Sequence, residues 1–111
     1  MTEGTQLDQS NDQQREPLIL RREMPLSRAF LEPRTETEKK LSVIWASLLC
    51  MDCVGAEDLY HELGGDSLLA LVLVAEIERV FGVRMPVATL VTEPTVARLA
   101  AAVDRLKAVS A

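Results

Sequence analysis

Apolar positions recur at helical spacing in three stretches of this chain, and strand-like alternation is confined to a brief run at 84–90. In the first stretch Leu41, Ile44, Trp45 and Leu48 fall at i, i+3, i+4 and i+7. Thr35-Glu36-Thr37-Glu38 precedes them and fits a capping box, which predicts a helix over 36–49. In the second, Leu69, Leu73, Ile77, Val80 and Phe81 form a stripe along a helix predicted at 67–81 and stopped by Gly82. Leu68, Val72 and Ala75 add an apolar strip on the adjacent flank. The first two turns are thus apolar nearly all round, more than a small domain can turn inward, so part of that surface is expected to meet a partner. In the third stretch Val96, Leu99, Ala100, Val103 and Leu106 give the buried face of a last helix, for which Thr92-Glu93-Pro94 is the start signal. Pro86 opens a short turn or helix at 87–91, and 50–65 reads as a long loop with one short turn near Gly55–Tyr60. Together these elements predict an all-α, mostly antiparallel bundle with a long first connection and no internal repeat.

The N-terminal third follows a different pattern. Residues 1–16 hold Gln, Asp, Glu, Ser and Thr and almost no large apolar groups, so disorder is expected there. Pro17, Pro25 and Pro33 interrupt any helix over 17–33. That segment also carries Leu18, Ile19, Leu20, Met24, Leu26, Phe30 and Leu31, so it is either a Pro-punctuated linker or a segment that packs on its own domain or a partner. The division expected is a disordered or weakly ordered extension over 1–32 and a folded domain over 33–111.

With 111 residues there is room for one core. Twelve Lys and Arg stand against 17 Asp and Glu, a formal charge of −5, which disfavours nucleic acid and anionic membrane surfaces as partners. No apolar run approaches the ~20 residues of a spanning helix, and the N-terminus lacks a signal-peptide layout. Aromatics are 4% of the chain, so the core is expected to be aliphatic. Charge is also uneven. No Lys or Arg lies between Lys40 and Arg79, where even scattering would place about four. Asp52, Glu57, Asp58, Glu62, Asp66, Glu76 and Glu78 fill that window, which suggests an acidic face that steers basic partners.

Little here supports catalysis. His61 is the one histidine, and Gly65-Asp66-Ser67-Leu68-Leu69 is half of a nucleophile elbow without its second glycine or preceding strand. Cys50-Met51-Asp52-Cys53 with His61 offers three ligands where structural zinc takes four, so no metal site is expected. Those cysteines read as ordinary thiols. The informative stretch is Leu63-Gly64-Gly65-Asp66-Ser67-Leu68-Leu69. Its glycines allow close approach to the backbone. Ser67 falls in the first turn of a helix, where free N–H groups and the helix dipole tolerate a phosphate ester. Asp66 or Ser67 as a plain N-cap is the simpler alternative.

Leu63-Gly64-Gly65-Asp66-Ser67-Leu68-Leu69-Ala70 resembles the phosphopantetheine attachment motif of acyl and peptidyl carrier proteins. Pro33-Arg34-Thr35-Glu36-Thr37-Glu38 with Leu41-Ser42-Val43-Ile44-Trp45 is similar to the opening helix of the peptidyl carriers of nonribosomal peptide synthetases. Phe81-Gly82-Val83-Arg84-Met85-Pro86 and Glu93-Pro94-Thr95-Val96-Ala97-Arg98-Leu99-Ala100 resemble their third and fourth helices, so the likeness covers about 33–107. It implies a four-helix bundle of the acyl-carrier type without catalysis of its own. It implies phosphopantetheine carried on Ser67, with Gly65, Asp66 and Leu68 framing the site, and aminoacyl, peptidyl or acyl groups held as thioesters.

The implied partners are a phosphopantetheinyl transferase using coenzyme A, an adenylation or acyl-loading enzyme, and condensation or tailoring enzymes. Leu68, Val72 and Ala75 match partner-contacting positions, and Glu76 and Glu78 join them on the acidic face. Asp66 stands where many peptidyl carriers have His. An acyl carrier of a polyketide or fatty-acid pathway is therefore the nearest alternative, and a helical adaptor without a prosthetic group the next. A free-standing cytoplasmic monomer acting in trans is expected.

Overall fold

The computed structural model describes residues 18–110, and the disorder expected over 1–16 lies outside the described residues. Among them are four α-helices: α1 (Glu36–Leu49), α2 (Ser67–Phe81), α3 (Thr89–Thr92) and α4 (Val96–Ser110). Single 3₁₀ turns occupy Arg21–Glu23 and Tyr60–Leu63. No strand forms among the described residues, only isolated bridges joining Ile19 to Met51 and Leu59 to Thr95.

The capping box forms with one change of partner. The Glu38 N–H donates to Thr35 Oγ1 (3.0 Å), but the Glu38 carboxylate accepts from the Arg34 N–H, one residue before the cap. At the other end of α1 Cys50 takes a left-handed conformation (φ 59°). The Met51 N–H reaches the Ala46 carbonyl and the Cys50 N–H that of Ser47, a Schellman closure with cysteine where glycine is usual.

α1 packs against both α2 and α4. Leu41, Trp45, Leu73, Ile77, Val96, Leu99 and Val103 are buried between them, an aliphatic core around one tryptophan. Trp45 is 0% exposed and meets Tyr60 edge-on, with ring centroids 5.6 Å apart.

Two expectations need correction. The buried face of α2 is Ala70, Leu73, Val74 and Ile77, whereas Leu69 and Phe81 are half-buried and Val80 exposed. In the first two turns, apolar nearly all round, either stripe satisfies the period, and the observed packing turns Ala70 and Val74 inward beside Leu73 and Ile77. The last helix starts at Val96, not near Thr92, which closes α3. Thr95 is the cap, its Oγ1 accepting from the Arg98 N–H (3.1 Å). Pro94 stays outside because its carbonyl accepts from the Tyr60 N–H and the adjacent Thr95 bridges Leu59.

Residues 18–33 pack on their own domain. The Ile19 N–H donates to the Cys50 carbonyl, the Asp52 N–H to Ile19, and the Ala56 N–H to Leu31. Met24 and Leu26 rest against the core. These residues form a strap over the loop between α1 and α2.

Candidate functional site

Two glycines and an aspartate shape the approach to α2. Gly64 ends the 3₁₀ turn in a left-handed conformation (φ 92°), open around its Cα. Gly65 is needed for space, since a Cβ there would lie 2.2 Å from Tyr60 Cζ. The surface that closes on this glycine is therefore the chain's own tyrosine. The Tyr60 hydroxyl donates to the Asp66 carbonyl (2.9 Å), tying the α2 cap to the core through Trp45. Burial, then the neighbouring Asp66 charge, pushes the Tyr60 phenol above its usual range, so it stays a donor.

Asp66 is the N-cap, with Oδ1 accepting from the Leu69 N–H (2.7 Å) and its carbonyl from the Ala70 N–H. Ser67 opens the helix and is exposed. As first-turn residues, Ser67 and Leu68 have no intrahelical acceptor for their N–H groups, which leaves both donors and the positive helix end available to an anion on the Ser67 oxygen.

Beside Ser67 lies a groove of about 660 Å³ between the start of α2 and the α3 region. Ala70, Leu71, Val87, Leu90 and Val91 wall it, and His61, Asp66 and Ser67 are its polar members. Leu68 is 72% and Val91 79% exposed, and Leu71 and Val72 are exposed as well, so an apolar rim surrounds the serine. Of the strip expected to meet a partner, Leu68, Val72 and Ala75 are all exposed, and Leu71, Val87 and Val91 are exposed apolar residues at the groove that the sequence reading did not single out. The Leu68–Leu71 and Val87–Val91 helical spacings were the available signals.

The acidic residues are more engaged than their number suggests. Both Asp58 oxygens are held by Arg21, at 2.7 and 2.6 Å, and Glu57 pairs with Arg28. Asp52 accepts from the Arg21 N–H, and Glu62 from the Ser27 N–H and hydroxyl, bonds that hold both carboxyls below their usual range. Glu76 is bridged by Arg79, which lowers its carboxyl likewise. Glu78 accepts from the Met85 N–H (2.8 Å) and anchors the turn after α2. Cys50 is exposed, Cys53 half-buried, and both are free thiols, with burial first and Asp52 next pushing the Cys53 thiol up.

A family model described as phosphopantetheine attachment site matches residues 39–103, more than half of the chain and all of this site. The chain belongs to the phosphopantetheine-attachment family. Indigoidine synthase of Streptomyces lavendulae is 36% identical over 80 residues, 72% of this chain but 6% of that protein, so the chain spans a small fraction of its curated relative. The solution structure of a docking-domain complex of the Pax NRPS, PaxA T1-CDD with PaxB NDD, superposes with TM-score 0.72 at 29% identity, over 78% of this chain and 84% of that one. A peptidyl carrier protein structure, solved with the phosphopantetheine transferase Sfp and coenzyme A, gives 0.67 at 30% identity, over 68% and 99%. The fold is that of a carrier domain.

The site fits the family's prosthetic group on its own geometry. Ser67 offers an exposed hydroxyl, the helix end offers two unmatched N–H donors for a phosphodiester, and the groove offers an apolar bed within reach of that oxygen.

Proposed function

We propose that Ser67 is the attachment serine and that this chain carries aminoacyl, peptidyl or acyl intermediates in nonribosomal peptide or hybrid natural-product assembly. The observation that carries this is an exposed Ser67 at the capped start of α2, opening onto an apolar groove. The bound arm supplies a terminal thiol that holds the intermediate as a thioester. Asp66 holds the first turn in register through the Leu69 N–H, and Gly65 admits the Tyr60 ring that supports the cap. The Ser67 and Leu68 N–H groups at the helix start would hold the phosphate of the arm. Leu68, Leu71, Val72 and Val91 form the apolar contact for partner enzymes. Tethering raises the effective concentration of the thioester at each of them.

On this reading the chain is a substrate of a transferase rather than an enzyme, since Ser67 needs an outside base to become a nucleophile. Its partners are a phosphopantetheinyl transferase with coenzyme A, a loading enzyme of the adenylation type, and condensation or tailoring enzymes. We assign it to the cytoplasm as a monomer. No helix of the described residues is long and apolar enough to cross a membrane. The likeness to Pax NRPS and peptidyl carrier structures favours an aminoacyl over a polyketide or fatty-acyl cargo.

Incubation with coenzyme A and a broad-specificity transferase tests the assignment. Intact mass should rise by one phosphopantetheine, and Ser67→Ala should abolish the rise. An unchanged mass beside a modified control carrier would leave a helical adaptor. Loading by amino-acid adenylation enzymes, rather than by acyltransferases, separates the two carrier classes.

A further inference from the structure

We infer that Arg21 is a positioning residue for the Ser67 site, acting through Asp58 and the loop between α1 and α2. This rests on the assignment of Ser67 above. Asp58 is 1% exposed, and its carboxylate takes three hydrogen bonds: from Arg21 Nε (2.7 Å), Arg21 Nη2 (2.6 Å) and the Gly55 N–H (2.7 Å). Arg21 is the one cation that bonds it among the described residues. That arginine comes from the strap, 37 residues earlier in the chain. It also donates through Nη2 to the Arg28 carbonyl (3.0 Å) and lies over the Phe30 ring at 5.1 Å. A Cβ on Gly55 would fall 3.1 Å from that ring and 3.2 Å from Asp58 Oδ2, so strap and loop are closely packed at this point.

The same loop leads directly to the serine. Two residues beyond Asp58, the Tyr60 N–H is bonded to the Pro94 carbonyl, its ring fills the space at Gly65, and its hydroxyl holds the Asp66 carbonyl. The strap secures the rest of the loop as well, with bonds at Cys50, Asp52, Ala56, Glu57 and Glu62. Outside the strap the loop over 51–59 is held by buried Met51 and Val54, by the Ala97 N–H on the Ala56 carbonyl and by the Leu59–Thr95 bridge, none of which neutralises Asp58. Loss of the Arg21 guanidinium strands a buried carboxylate, which must move toward water and take its neighbours with it. Removal of both charges does not, because a buried pair replaced by neutral groups is close to neutral in stability.

That asymmetry gives the test. The full chain, Arg21→Met, Asp58→Asn, the double variant and Arg21→Lys are compared for transferase-catalysed modification, resolved into kcat and KM, and for amide exchange. Each neutral single variant should lose about tenfold in kcat/KM and exchange faster over 51–66 while α4 keeps its protection, and the double variant should return to within about threefold of the parent. Arg21→Lys, which keeps charge but not the two-pronged geometry, should fall between. Wild-type rate and exchange in Arg21→Met, or a double variant no better than its parents, would overturn the inference. So would protection lost equally in α4, which would make Arg21 a general stabiliser. If the parent chain takes no arm on Ser67, the attachment assignment is what fails, and exchange over 51–66 still decides whether Arg21 holds the loop.

Discussion

Gly64 and Gly65 stand side by side for different physical reasons, and this can be separated by substitution. Gly64 needs a left-handed backbone and has open space, whereas Gly65 needs the absence of a Cβ because of the Tyr60 ring. Asparagine, which tolerates the left-handed region, should therefore be accepted at 64 but not at 65. We expect Gly64→Asn to cost under about 1 kcal/mol and Gly65→Ala about 1–3 kcal/mol from overpacking, both read by denaturant unfolding. Tyr60→Phe should keep the ring contacts but release the Asp66 carbonyl, slowing modification of Ser67 with a loss of about 1 kcal/mol or less in stability. Spacing alone left Ser67 open between a plain cap and an attachment point, and the resemblance of the stretch Leu63–Ala70 to the attachment motif is what singled it out. Tyr60 was not legible, since its role depends on Trp45, Gly65 and Asp66 meeting in space.

At the level of elements, the first two long helices were legible to the residue, because caps and breakers mark their ends. The Thr35 cap and Gly82 bound α1 and α2 where the sequence placed them. The rotation of α2 was not legible, because its first two turns, apolar nearly all round, carry no directional signal. Cys50 is the element-level exception. It holds a left-handed position that suits glycine, so Cys50→Gly should raise stability by about 1 kcal/mol, and a fall on thermal unfolding would show that the cysteine side chain has packing of its own. The strap has its own pH signature. Asp52 and Glu62 are held below their ordinary values by strap donors, so their contribution is present above the unfolded values of 3.8 and 4.5 and is lost as pH falls through the lower folded ones. Protection factors of strap amides should fall below pH 4.5 ahead of those in α1, and Ser27→Ala should blunt the part that comes from Glu62. Simultaneous loss of protection in α1 would contradict this.

For the molecule as a whole, the charge count gave the right tally but an incomplete picture. The window from Lys40 to Arg79 is acidic, yet Arg21 and Arg28 fold back onto it from the strap and Arg79 closes on Glu76. Apolar contact is thus left as the main character of the surface around Ser67, with Leu68 and Val91 its most exposed members. Leu68→Asp and Val91→Asp should impair use of the loaded carrier by partner enzymes while changing stability by no more than about 0.5 kcal/mol. Glu78→Lys removes the acceptor of the Met85 N–H and should lower stability by about 1–2 kcal/mol, whereas Glu76→Lys should not. An equal effect of the two reversals, seen only in partner turnover, would restore the acidic-face explanation.

The measurement closest to the central claim is fragmentation mass spectrometry of the chain after transfer from coenzyme A. The phosphodiester should map entirely to the peptide bearing Ser67, with Ser27, Ser42 and Ser47 bare. An arm on any other serine, or none beside a modified control carrier, would contradict the assignment.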